Sequence, residues 1–140
     1  MAKLIARNVK LKVAGVDLSY WLQDIDYPEK WTNNVVTGMG SSFEERLLGI
    51  GDVSIACTFF QDYAASAVYA TLQPLAGSNT PFEVEVTPDS SLSVGSTNPR
   101  IVMWSILDAN DLVKGKVGEA STLQVTFYNS STTGPLFYTT

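Results

Sequence analysis

Apolar and polar residues alternate with a period of two along most of this chain. Val9, Leu11 and Val13 alternate with Asn8, Lys10 and Lys12, which sets the apolar residues on one face of a strand. Ala14-Gly15 reads as a tight turn into Val16-Asp17-Leu18. Val53, Ile55, Cys57 and Phe59 alternate with Ser54, Ala56, Thr58 and Phe60. Phe82, Val84 and Val86 alternate with Glu83, Glu85 and Thr87, and Leu123, Val125 and Phe127 with Thr122, Gln124, Thr126 and Tyr128. Ile101 to Leu107 is apolar on both sides and is expected to be central or doubly covered. Half-polar strands belong to antiparallel sheets with one solvated face, so the pattern predicts a mainly β domain, a sandwich or an open barrel.

One segment departs from this period. In Asp62 to Leu75, residues Ala65, Val68, Leu72 and Leu75 recur at helical spacing. Asp62 is a suitable N-cap and Pro74 and Gly77 mark the end, so the expectation is one helix of roughly three to four turns. Two long connections stand out: the polar run Pro88 to Pro99, and residues 33 to 52, which contain GMGSSFEERLLGIGD. Connections this long in a compact domain tend to be functional. The last strand is followed by a polar linker, Asn129 to Gly134, and then by the apolar residues Leu136, Phe137 and Tyr138. The expected organisation is a β domain over 1–128 with an extended loop at 33–52, and a C-terminal arm over 129–140.

The 140 residues suffice for one domain with its own core. Only 16% are charged, against about 25% in ordinary soluble domains, which suits a surface covered by other subunits. The net charge is −5 with no basic run, which argues against attractive binding to a nucleic-acid backbone. A single cysteine, Cys57, allows no internal disulfide. The N-terminus lacks the apolar core of a signal peptide and no window is long and apolar enough to span a membrane, so the expectation is a cytoplasmic product without membrane insertion.

Candidate chemistry is sparse. The chain has no histidine, which removes the Ser-His-Asp and Cys-His nucleophile systems and the His-bearing zinc sites. No cofactor, metal or catalytic residue is assigned. Glu83 and Glu85 share a strand face, but paired glycosidase acids must stand on opposite sides of a sugar; a solvated strand face is the plainer account. Asp24 and Asp26 follow the same reasoning, as do Asp108 and Asp111, whose turn offers only oxygen ligands for a weak calcium site. The glycine-rich stretch lacks the lysine of a phosphate loop, and Glu44 and Glu45 would repel the anion. It reads instead as an arm for another subunit. Phe43, Leu47, Leu48 and Ile50 supply apolar anchors, and Glu44, Glu45 and Arg46 fix register. Left exposed on a monomer, such a segment would be adhesive.

Taken in order, the hairpin at Arg7 to Leu18, the Thr- and Gly-rich Val35 to Gly40, the turn Arg46-Leu47-Leu48-Gly49, the strand Asp52 to Phe60, the helix opened by Gln61 to Ala65 and the strands at 82–87, 99–107 and 122–127 resemble the major tail (tail tube) proteins of long-tailed bacteriophages. The resemblance implies a β-sandwich or half-barrel with one flanking helix, a virion tail location, and assembly in the host cytoplasm. It also implies hexameric rings stacked into a tube that conducts the genome, with other tail proteins as partners and DNA as a transient, non-adhering passenger. The long loop at Asn33 to Asp52 would then reach adjacent subunits and Asn129 to Thr140 would be a terminal arm. Glu83 and Glu85, or Thr122, Gln124 and Thr126, become candidates to face the lumen. A capsid decoration protein is the nearest rival reading; a carbohydrate-binding module using Trp21, Trp31 or Trp104 is another.

Overall fold

The computed structural model describes residues 8–110, 113 and 115–139. Nine antiparallel strands form one sheet. β1 (Lys10–Val13) and β2 (Val16–Asp17) make the first hairpin, turned at Ala14 and Gly15, both with positive φ. A 3-10 turn at Ser19–Trp21 leads to β3 (Leu22–Asp26), β4 (Glu29–Val35) and β5 (Arg46–Phe60). A short helix, α1 (Val68–Leu72), precedes β6 (Phe82–Thr87), β7 (Arg100–Leu107), β8 (Thr122–Asn129) and β9 (Leu136–Tyr138). The order across the sheet is β2-β1-β6-β7-β8-β5-β3, with β4 on β5 and β9 on β7.

The alternating residues face a common core. Leu11 and Val13 on β1, Ile55 and Phe59 on β5, Val84 on β6, Met103 on β7 and Phe127 on β8 are all buried in one cluster, joined by Val68 and Leu72 from α1. Leu22 and Ile25, at the far edge, pack against the same cluster. For both edges to reach one core the sheet must curl, which is the half-barrel form of the expected architecture. The curl is held where the chain passes between its edges. The Leu18 N–H donates to the Leu11 carbonyl at 2.9 Å, and Ser19 Oγ accepts the Leu11 N–H at 2.9 Å.

Three expectations are corrected. The helix spans five residues rather than most of 62–75. Ser66 takes φ +61°, which breaks the helix on its N-terminal side. Asp62 does not cap it: its carboxylate accepts the Trp21 Nε1–H and the Ala64 N–H, both at 2.9 Å. Second, residues 33–52 are not a loop. They form most of a two-stranded ribbon, β4 against the first half of β5, with a connection only at 36–45. Third, the C-terminal arm lies on its own sheet. β8 leaves β7 at the pair Asn129–Ser105, and β9 rejoins it at Leu136–Val102. β9 is therefore the continuation of β8 after a six-residue excursion at 130–135, anchored by the Arg100 guanidinium 4.5 Å over the Tyr138 ring.

Candidate assembly surfaces

β5 is fifteen residues long, and its two halves live in different surroundings. From Val53 onward alternate residues are buried; from Arg46 to Asp52 every residue is exposed. β8 pairs with β5 only from Ser54 to Phe60, so the strand runs out beyond the body with β4 as its companion. The whole of 29–52 is exposed. The anticipated anchors all stand on it. Phe43 and Ile50 are 85% exposed, Leu48 69% and Leu47 61%, and Trp31, Val35, Val36 and Met39 are also open. Arg46 pairs with Glu44, two residues before it, at 2.7 Å, and the Glu45 N–H donates to Thr37 Oγ1 at 2.9 Å across the mouth of the connection. At seven residues and about 3.4 Å each, β4 reaches roughly 24 Å. Gly51 lets the Trp31 indole lie against β5, since a Cβ there would meet Trp31 Nε1 at 2.8 Å.

Where the ribbon leaves the body it forks from β9. A cavity of about 500 Å³ fills the fork, lined by Trp31, Ile50, Val53, Asn129, Phe137 and the 130–135 excursion. Leu136, Phe137 and Tyr138 remain part-exposed beside it.

The convex face of the sheet carries the other candidates. Glu85 lies opposite Lys12 on β1 and Val102 on β7, and bonds Arg100 at 3.5 Å. Glu83 lies opposite Trp104. Lys12 is also opposite Asp17, so this quarter of the face is of mixed sign. A purer acidic edge is provided by Asp24 and Asp26. Asp24 and Asp26 are both exposed; they pair with Thr58 and Ala56 and so share the convex face with the half-buried Glu83 and Glu85. Thr122, Gln124 and Thr126 occupy the same face on β8.

Little else suggests chemistry. Cys57 is buried, and burial pushes its thiol up to about 12. Among the described residues no group of three His, Cys, Asp or Glu side chains is arranged to hold a metal. Asp111, part of the weighed calcium turn, lies outside the described residues. Trp21, Trp31 and Trp104 stand on three separate elements, the 3-10 turn, the ribbon and β7.

No family model matches the chain, and no curated protein matches it. Solved structures share its fold. A chain in the virion of a native gene transfer agent particle superposes with a TM-score of 0.71 at 14% identity, covering 99% of both chains. A chain in the tail of an empty gene transfer agent particle, a structure with C6 symmetry, gives 0.65 at 14% identity, covering 95% of this chain and 94% of that one. The Dit protein of phage SPP1 gives 0.47 at 13% identity, covering 96% of this chain and 53% of that one. The fold is therefore one shared with chains of gene transfer agent particles, mainly β as the sequence pattern predicted.

Proposed function

We propose that this protein is a structural component of a phage or phage-like tail that assembles into six-membered rings, stacked into a tube through which the genome passes. The observation that carries this is the ribbon, a row of large apolar side chains held away from a body whose core is complete without them. A two-stranded ribbon is marginal by itself in water, and an apolar surface of this kind marks a protein contact. The full-length likeness to a chain in a tail of C6 symmetry supports the ring and its order.

The mechanism is assembly without catalysis. Ribbons engage sister copies, many weak contacts add through the multiplicity of copies, and the tail sits in the virion after assembly in the host cytoplasm. The convex face, with Glu83, Glu85, Asp24 and Asp26, is the face we assign to the lumen. Carboxylates there would keep passing DNA from adhering. The test is to concentrate the purified protein and follow it by sedimentation velocity and negative-stain microscopy. Hollow tubes with six-fold end views are expected. A monomer at every concentration, or trimers that add only to preformed capsids, would overturn the reading.

A further inference from the structure

At the base of the ribbon the core-facing side of the sheet runs out past the core. Glu29 lies opposite Val53, the first core residue of β5, and Trp31 lies opposite Gly51. Alternation therefore puts Glu29 and Trp31 on the side that Val53 faces. On the other wall of the fork, Asn129 follows the core residue Phe127 by two positions. Phe137 stands opposite Ile101, on the side away from Leu136 and Tyr138. The cavity of about 500 Å³ that these residues line is thus the open mouth of the half-barrel. Barrel mouths are frequent small-molecule sites, and the volume falls within the roughly 300–1,000 Å³ usual for them.

The walls are held in place. The Trp31 indole rests against Gly51, where a Cβ would stand 2.8 Å from Nε1, yet the side chain is 52% exposed. One face of the ring is backed and the other is free. The Tyr27 hydroxyl donates to Glu29 Oε1 at 2.9 Å, and burial together with that carboxylate keeps the phenol protonated. Asn129 Nδ2 donates to the Ser131 carbonyl at 2.9 Å and the Thr133 N–H to Ser131 Oγ at 3.2 Å, which sets the turn of the 130–135 excursion. Among the described residues Glu29 Oε2, Trp31 Nε1–H and the Thr132 hydroxyl take part in no hydrogen bond. No lysine or arginine lines the cavity.

We propose that this fork binds a neutral pyranose sugar, the apolar C–H face of the ring on Trp31 and its hydroxyls on Glu29 and Thr132. A flat indole with one free face offers a wide apolar surface with an electron-rich π-cloud, against which C–H bonds pack. Sugar hydroxyls both donate and accept, as serine and threonine hydroxyls do. They match a wall that has a spare acceptor in Glu29, a spare donor in Trp31 and a hydroxyl in Thr132 that can act as either. An anionic ligand would meet the Glu29 carboxylate with no cation beside it. An ammonium ligand would satisfy Glu29 but leave the indole N–H without an acceptor. The site lies within one chain, so it stands apart from ring assembly.

The test is saturation-transfer-difference NMR on the full chain, kept below the concentration at which it assembles, with lactose, maltose and N,N′-diacetylchitobiose as probes. Transfer to the C–H protons of one ring face is expected for at least one probe, with a Kd on the order of 1 mM. Trp31→Ala should weaken that binding about tenfold or more, and Glu29→Gln about two- to fivefold, since a charge-assisted bond becomes a neutral one. Trp104→Ala, on the convex face, should leave it unchanged. Trp31 and Glu29 lie outside the core cluster, and circular dichroism checks that each variant is folded. No transfer from any of the three probes would overturn the proposal. So would binding that survives Trp31→Ala or is lost with Trp104→Ala.

Discussion

Cutting the ribbon off at its base should separate folding from assembly. Lys30 and Asp52 face each other across the two strands, so residues 31–51 can be replaced by Asn-Gly, the pair best suited to a two-residue antiparallel turn. The core cluster enters β5 only at Val53, so no core side chain is lost. By comparison, truncating a buried aromatic such as Phe59 to alanine would cost about 3–5 kcal/mol. The shortened protein should therefore melt cooperatively and close to the native temperature. Its association should collapse. Phe43, Leu47, Leu48 and Ile50 are 61–85% exposed in the single chain, so most of their burial remains to be gained. At about 1.5–3 kcal/mol per fully buried side chain, these four contribute roughly 5–9 kcal/mol per copy in an assembly that covers them. That corresponds to roughly three to six decades in association constant before the costs of ordering and docking. Circular dichroism melting reads the first part and sedimentation velocity with microscopy the second. An unfolded product would refute the view that the ribbon lies outside the fold. Tubes formed as readily as before would refute its role in assembly.

Two further expectations concern the body. Asn98, almost fully buried, organises the 88–99 connection. Its Nδ2 donates to the carbonyls of Asp89, Leu92 and Ser93 and its Oδ1 accepts the Asp89 N–H. Asn98→Ala should cost about 1–3 kcal/mol by stranding these groups, with lost amide protection over 89–95 in hydrogen exchange; unchanged protection would count against it. Asp17 is held below 3.8: partial burial opposes its charge, but hydrogen bonds from Ser19 and the nearby Lys10 and Lys12 outweigh it. A depressed folded value means stabilisation that is present above 3.8 and lost as the pH falls below it through the folded value. Asp17→Asn should therefore lower urea stability by about 0.5–1.5 kcal/mol at neutral pH, and the difference should fade in acid. A deficit that is constant with pH would argue against the ionised carboxylate.

Strands with one buried face were legible from alternation alone. Phe82–Thr87 and the strand from Thr122 fall where the pattern set them, because burial of every second residue is what creates the pattern. β4 left no such trace. Glu29-Lys30-Trp31-Thr32-Asn33-Asn34-Val35 buries nothing, so no face is selected and no period appears. The same holds for β5 before Val53, whose outer half therefore reads as loop in the sequence. The apolar residues of that half, Leu47, Leu48 and Ile50, stand exposed on the ribbon. The helix was overread because Asp62 looked like a cap, yet its carboxylate is engaged by Trp21, which lies far away in sequence. β9 is three residues long, too short to show a period, and only its pairing with β7 reveals it as the end of β8.

These misreadings share a consequence for how the molecule works. The loop and tail were both expected to find their place on sister copies, but the tail has one on its own chain. β9 extends the line of β8, Tyr138 lies under Arg100, and the half-barrel fills its concave side with its own residues and α1. Of the two segments expected to need a partner, the ribbon is the one that stands wholly exposed. The body is knit by strands distant in sequence, β1 with β6 and β5 with β8, and its β3 edge is guarded by Asp24, Asp26 and Pro28. On the proposed reading the ribbon is the route for growth. Assembly driven there should depend steeply on protein concentration, and below the concentration at which it begins the melting of the body should not vary with concentration, a separation that an obligate oligomer, with no stable folded monomer, could not display.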